Sequence, residues 1–446
     1  MLSDARPLRA AFAAAVLALA GCSPNGQASG PSTGNDDLAL MREAMSLVHD
    51  RYVRDVPDSD LVKDGVKGMM AGLDPHSAYM DAKEYREFTS TTRGEFGGIG
   101  AELTRDGGRV KVIAPIEDTP AARAGVRAGD VIERVDGKPV DGLDLNEVVE
   151  RIRGPSGTSV RLTVGRGSST SIDVDLKREV IRVNAVKARL EPGNIGYARV
   201  TVFNEHAQDR LVEAIDRMKA EAGGKLAGFV LDLRNDPGGL LDQAVAVAGD
   251  FINEGGKIVS TRGRDGKETR SYGAPRRGDR IDGAPMVVLV NGASASASEI
   301  VAGALQDYKR ATIMGTRSFG KGSVQTVIPL SGRGAVRITT DLYYTPSGRS
   351  IQGQGVVPDV PLPLAKDQQV AGARTTREGE LKNAIKPPAV PGAPPSKGEA
   401  TELDPGVPPS EDGIVDPLVI GTERDGQLQA ALDRLRTGRL VRGAAR

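Results

Sequence analysis

The sequence predicts an α/β fold: a mostly parallel sheet with helical cover, preceded by further regions of different character. Two stretches carry that reading. Leu226-Ala-Gly-Phe-Val-Leu-Asp-Leu-Arg234 has the composition of a buried strand and runs through the turn Asn235-Asp-Pro-Gly-Gly239 into a helix ending near Phe251. The same succession recurs where Pro285-Met-Val-Val-Leu-Val290 passes through small residues into a helical pattern marked by Ile300, Val301, Ala304, Leu305 and Tyr308. Repeated strand–turn–helix units set neighbouring parallel strands. A chain of 446 residues has room for two or three domains. Its 59 basic residues balance 59 acidic ones, which argues against a nucleic-acid partner. Clusters of His and Cys at ligand spacing are missing from the sequence, so no metal or cofactor is expected.

The first region, residues 1–22, reads as a targeting segment. Arg6 and Arg9 precede an apolar run from Ala10 to Ala20 that is too short to span a bilayer as a helix. It ends Leu19-Ala-Gly-Cys22, which resembles a lipoprotein signal box, and Cys22 is the chain's one cysteine. The resemblance implies cleavage before Cys22, lipid attachment there, and a protein anchored on the periplasmic side of the cell envelope. Ser23, in place of an aspartate, favours the outer membrane. Residues 23–36 are small and polar, a flexible tether. Residues 37–93 return to helical patterning, with Leu40, Ala44, Leu47, Val48 and Tyr52 on one face. Leu61, Val62, Val66, Met69, Met70 and Leu73 mark another.

Residues 94–178 form the next block. Gly94-Glu-Phe-Gly-Gly-Ile-Gly-Ala-Glu-Leu103 is a glycine-rich turn leading into a strand. Such a turn lets backbone N–H groups converge on a carboxylate while the strand edge pairs with a peptide. The stretch from Ile116 to Ile132, with Val135-Asp-Gly-Lys138 after it, resembles a bacterial PDZ domain. That resemblance places Gly98, Ile99, Gly100 and Ala101 at a peptide's C-terminus. The helix from Asp144 to Arg153 offers Leu145, Val148, Val149 and Ile152 as a stripe, part core and part pocket wall. The plainer reading of Gly97 to Gly100 is a hairpin with no ligand.

Residues 179–365 contain the two repeated units. A serine exposed at a helix N-terminus meets unpaired N–H groups and the positive end of the helix dipole, both suited to a developing anion. Lys321 lies downstream between Gly320 and Gly322, where neither neighbour's side chain blocks its approach. Serine and lysine can suffice for acyl transfer if the lysine is neutral. That requires a pKa drop of about three units, or ~4 kcal/mol, and hence burial. Ser294, Ser296 and Ser298 could equally be capping and packing residues, and Lys321 a solvated turn residue. Gly315-x-x-x-x-Gly320-Lys321 matches most of a phosphate-binding loop but fails at Gly322, where a hydroxyl should hold magnesium. With only His49, His76 and His206 and no Gly-x-Ser-x-Gly elbow, a histidine triad is also disfavoured.

Ser-Ala-Ser-Ala-Ser-Glu, with Gly-Lys-Gly 25 residues after its middle serine (296 to 321) and then Gln325, resembles the carboxyl-terminal processing proteases. These are PDZ-containing serine peptidases of family S41. The resemblance implies a crotonase-like core, Ser296 as nucleophile, Lys321 as general base and Gln325 orienting the lysine. It assigns the oxyanion hole to the Gly238–Gly239 turn with the amide of Ala297. Asp236 departs from the asparagine the family often has, a change expected to matter little if backbone groups bind the oxyanion. Asp307 is expected to be a structural acid at a helix end. The implied activity is endoproteolysis of envelope proteins with exposed C-termini. The alternative is a silent or conditionally active PDZ scaffold. Residues 366–412, rich in proline, read as an extended linker. Within residues 413–446, Asp425 caps a last helix carrying Leu428, Leu432 and Leu435. That helix has its own chain, a second subunit of a homo-oligomer, or an adaptor lipoprotein to dock on.

Overall fold

The computed structural model describes residues 35–438, apart from 107, 117, 168–169, 183, 253–254, 276–277, 371–375 and 387–413. The targeting segment with Cys22, the tether up to residue 34 and most of the proline-rich stretch lie outside the described residues. The chain divides into two units, the first ending at Gly65 and the second beginning at Val66. In the first unit the helix Asn35–Arg51 forms as its periodicity predicts. Leu38, Leu40, Met41 and Leu47 are exposed on it. Its last turn is tied by His49 Nε2 to Asp58 Oδ1 at 2.6 Å.

The second unit opens with the last residues of the helix Asp58–Ala71 and the turn that follows it. Asp74 organises that turn by accepting the N–H groups of His76 and Ser77 and the Ser77 hydroxyl. The turn leads into the strand Ala78–Met80, which pairs antiparallel with Ala335–Tyr344. His76 is the turn residue expected; its Nε2 meets Glu378 Oε2 at 2.7 Å.

Residues 101–177 form an antiparallel sheet in which Ala101–Asp106 is an edge strand, followed in order by Arg109–Pro115, Val131–Val135, Ser159–Arg166 and Thr170–Lys177. Alternating residues such as Val160, Leu162 and Val164 fill its core. The helix Leu145–Ile152 starts on a reciprocal cap, with Glu147 N donating to Asp144 Oδ1 and Asp144 N to Glu147 Oε2. It contacts the edge strand Ala101–Asp106, whose other side pairs with Arg109–Pro115. Gly100 has φ 76°, and a Cβ there would lie 2.3 Å from Thr119 Cβ, so the turn into the edge strand requires glycine.

The remaining core is a six-stranded sheet ordered Val186–Glu191, Ile195–Val200, Gly228–Asp232, Met286–Val290, Thr312–Gly315, Val360–Pro361. All neighbours are parallel except the first pair, as the repeated units predict. Strands buried on both faces read as continuous apolar runs, and every residue of Gly228–Asp232 and Met286–Val290 is buried. The helices Ala207–Glu221, Leu241–Gly249 and Ala297–Asp307 pack in one core against these strands. A second, antiparallel sheet joins Ser323–Pro329, Ala335–Tyr344, Lys257–Arg262 and Glu268–Gly273.

The last helix, Gly426–Thr437, docks on its own chain. Leu428, Ala431 and Leu432 bury against Tyr197, Val230, Val287 and Leu289, and a Cβ at Gly228 would lie 3.3 Å from Leu435. Asp425 caps it as expected, accepting Leu428 N. The same carboxylate takes two hydrogen bonds from Arg234, which is fully buried and also held by Asp232. The expected free linker is partly wrong: Glu378 is 1 % exposed, and its backbone N–H donates to Phe319 O. Its side chain accepts from Gln352 Nε2 at 2.9 Å. A glutamate with those partners fixes residues 376–386 on the core. Asp425→Ala removes the helix cap and leaves two buried guanidinium nitrogens short of acceptors. We expect a loss of about 2–4 kcal/mol in urea unfolding and early proteolysis of the last helix; unchanged unfolding would show that Arg234 is satisfied without it.

Candidate active site

The turns after the strands Gly228–Asp232 and Met286–Val290 lie side by side because parallel strands release their chains at one sheet edge. Polar side chains lock the two turns together. Asn235 N donates to Asn291 Oδ1 at 2.9 Å and Asn291 Nδ2 to Asn235 Oδ1 at 2.7 Å. Ser294 Oγ donates to Leu233 O at 2.7 Å, and Ser298 Oγ to Asp236 O at 3.0 Å. Of the three serines, Ser294 and Ser298 therefore have the packing role that the plainer reading gave all of them.

Ser296 differs. It occupies φ 55°, ψ −110° at the start of the helix Ala297–Asp307, a conformation that costs an L-residue roughly 1–3 kcal/mol. Its hydroxyl donates to no described group. Gly238 lies directly against it: a Cβ on Gly238 would be 2.9 Å from Ser296 Cβ and 2.8 Å from Ala297 N. Gly239, at φ 146°, is pressed onto Phe203, whose carbonyl oxygen would lie 2.3 Å from an added Cβ. The oxyanion assignment needs one correction. Gly238 N donates to Asp236 Oδ1 at 2.8 Å, so that amide is engaged. The N–H groups of Gly239 and Ala297 have no partner among the described residues.

Lys321 reaches this place by a route the sequence did not show. The Glu299 carboxylate, fully buried, accepts four hydrogen bonds. Oε2 takes Ser296 N and Lys321 N, each at 2.8 Å; Oε1 takes Ser318 Oγ at 2.5 Å and Gly320 N at 2.7 Å. Burial pushes the Glu299 carboxyl up to about 7 against the pull of these donors. Four donors and no acceptor describe a carboxylate's partners. The signal was present as Ser296-x-x-Glu299, the pattern of a capping box.

The glycines beside Lys321 have a purpose other than access. A Cβ on Gly322 would lie 2.3 Å from Gln352 N, and Gly322 N donates to Gln352 Oε1 at 2.8 Å. They admit the backbone of residues 352–355 against the lysine loop. Burial depresses the Lys321 pKa below its ordinary value, and the Arg337 charge depresses it further. Glu378, Glu299 and Asp74 act in opposition. No hydrogen bond joins Lys321 to Ser296 or to Gln325 in this structure. Gln325 Nε2 donates to Ser323 Oγ at 2.9 Å and Thr339 Oγ1 at 3.3 Å, after a register shift between Val324 and Gln325. Asp307 is structural, receiving Ser347 N and Arg349.

In the block of residues 94–178, Gly98, Ile99, Gly100 and Ala101 lead into the edge strand, and Leu145 and Val149 are only partly buried. Ile99 and Val148, 3 % and 0 % exposed, belong to the core of that sheet. Among the described residues no His, Cys, Asp and Glu side chains group as a metal-binding set.

Models of known families match three parts of the chain: Peptidase family S41 over residues 194–362, a PDZ domain over 111–166, and the activating protease CtpB N-terminal domain over 18–84. A carboxy-terminal-processing protease of Bartonella bacilliformis is 49% identical over 352 residues, covering 78% of this chain and 80% of that protein. The carboxy-terminal processing protease CtpA of Bacillus subtilis is 34% identical over 360 residues, covering 80% and 76%. Among solved structures, a photosystem II D1 C-terminal processing protease shares 32% identity over 74% of this chain and 94% of that one, with a TM-score of 0.44. The chain belongs to this family: it is a serine-type carboxy-terminal-processing protease of peptidase family S41 that carries a PDZ domain.

Proposed function

We propose that the protein is an envelope endopeptidase, lipid-anchored through Cys22 on the periplasmic side. Its PDZ domain takes the exposed C-terminus of a protein substrate, and a Ser296–Lys321 pair cleaves the chain upstream. The observation that carries the mechanism is the single Glu299 oxygen that binds the backbone N–H of both Ser296 and Lys321. It ties the backbone of a strained, buried serine to that of a half-buried lysine of depressed basicity. The edge strand Ala101–Asp106 beside the helix Leu145–Ile152 supports peptide capture by strand addition. The Leu19-Ala-Gly-Cys22 run supports the anchor.

In this reading Ser296 Oγ attacks the scissile carbonyl carbon while Lys321 Nζ, neutral, takes the hydroxyl proton. The carbonyl oxygen becomes an anion held by the N–H groups of Gly239 and Ala297. Collapse breaks the C–N bond, and Lys321 returns the proton to the departing amine. Water then repeats the sequence on the acyl-enzyme, with Lys321 again the base. Gln325 orients the lysine once the two meet; hydrogen bonds among catalytic groups are often loose without substrate and tighten with it.

Ser296→Ala and Lys321→Ala should each lower turnover of casein at least about 10⁴-fold, and Ser296→Ala should lose fluorophosphonate labelling. Retained activity in both would remove the assignment. Glu299→Ala, which touches neither hydroxyl nor amine, should lower kcat about 10²-fold by misplacing both, with a smaller change in KM. The neutral lysine is the active form, so activity should rise with pH through the depressed Lys321 pKa. Arg337→Gln removes a positive charge that disfavours protonated Lys321, which should move that rising limb to higher pH. A limb that stays in place would mean another group is the base.

A further inference from the structure

The one side chain at the site that breaks the rules of burial is Asp236. It is 0 % exposed and lies in the turn that faces Ser296. Its backbone carbonyl accepts Ala295 N and Ser298 Oγ, each at 3.0 Å, which fixes the residue against the serine turn. Its Oδ1 accepts Gly238 N at 2.8 Å, whereas Oδ2, also buried, has no hydrogen-bond partner among the described residues. Among the described residues it forms no ion pair: the nearby Arg234 is bound to Asp232 and Asp425.

We propose that Asp236 is carried as a neutral carboxylic acid in the folded protein and is the positioning residue of the oxyanion turn. A carboxylate needs donors on both oxygens or a paired cation, and burial without them is far more costly for the charged form than for the neutral one. Burial pushes the carboxyl well above the usual carboxylate range against the pull of the Gly238 N–H and the Ser298 hydroxyl, and the two charges that act on it most strongly oppose each other. These are Arg199 on the strand Ile195–Val200 and Asp232 on Gly228–Asp232. From the helix Ala297–Asp307 the Ser298 hydroxyl reaches the backbone carbonyl of Asp236. The neutral acid still accepts Gly238 N through its carbonyl oxygen. That bond takes the first turn amide out of the site and leaves the next, Gly239, to face the substrate. Ionised, the same group would set a negative charge beside the developing oxyanion and oppose it. The side chain thus matters where the sequence suggested only the backbone did.

The catalytic part of this inference rests on Ser296 being the nucleophile; the protonation part does not. Infrared difference spectra of the full chain, wild type minus Asp236→Asn, should show at pH 7 a carboxylic-acid carbonyl band that shifts in deuterated water. Asp236→Leu, which removes the acceptor for Gly238, should lower kcat at least about tenfold with little change in KM. Asp236→Asn, an uncharged side chain that keeps the acceptor, should restore at least about half of it. No acid band, or an Asn variant that is as slow as Leu or does not fold, would overturn the proposal. Fluorophosphonate labelling of Ser296 in the same samples reports separately on the nucleophile. If wild type is not labelled, the reading of the site fails while the infrared band still decides the state of Asp236.

Discussion

The site depends on one buried carboxylate. Glu299 lies one turn into the helix that Ser296 begins, and its two oxygens gather donors from Ser296, Ser318, Gly320 and Lys321. Withdrawing a carboxylate from water costs several kcal/mol. Hydrogen bonds to a charged group return roughly 1.5–3 kcal/mol each. Even with all four in place burial keeps the carboxyl up at about 7, so the donors offset only part of the cost and losing any one adds to it. Glu299 is therefore stable in its position only when the serine turn and the lysine loop are both in theirs. The placing of the serine turn beside the lysine loop is a condition of burying the glutamate, enforced by folding and not by a hydrogen bond between the Ser296 and Lys321 side chains.

The strain at Ser296 is held by the same logic on the other side. A residue at φ 55°, ψ −110° stays there only if its surroundings allow no alternative. The flanking serines provide that constraint. Ser294 reaches back to Leu233 O and Ser298 to Asp236 O, while Asn235 and Asn291 exchange hydrogen bonds across the gap. Both turns issue from strands that are buried throughout, so their spacing is set by the sheet. The turn that carries Gly238 and Gly239 and the turn that carries Ser296 are thus held as one hydrogen-bonded unit.

Much of this was legible because it is periodic or punctuated. Continuous apolar runs marked the central parallel strands, Asp425 marked the last helix, and the spacing of Ser296, Lys321 and Gln325 marked the family. Partnerships between distant residues were not legible. Glu299 was visible as part of a capping pattern, yet nothing local says that its second oxygen also receives Lys321 N from 22 positions away. Gly320 and Gly322 suggested an unobstructed lysine, whereas the pressure on them comes from residues 352–355. The Gly238–Gly239 turn stood out by its glycines, but which of its amides is open depends on the Asp236 side chain, because Oδ1 claims Gly238 N. Residues 376–386 read as linker because a proline-rich neighbourhood dominates their composition. Their order comes from Glu378 finding His76 and Gln352.

Those contacts bear on where the catalytic domain ends. The groups that set the basicity of Lys321, apart from burial, are Arg337, Glu378, Glu299 and Asp74. Only Arg337 and Glu299 lie between residues 194 and 362, the part matched as peptidase. Asp74 comes from the turn ahead of the PDZ domain and is bound to Thr339 Oγ1 on the strand next to Gln325. Glu378 comes from beyond the last core strand and reaches the lysine loop through Gln352, which also accepts Gly322 N. His76, in the first of these turns, is hydrogen-bonded to Glu378 in the second. A chain cut to the strand–helix core would keep every residue named as catalytic while losing the turn and the strap around its base. The lysine would then be open to water, where its proton is held most firmly. The segments flanking the core thus belong to the surroundings of Lys321 and, on the proposed mechanism, to what lets it serve as a base.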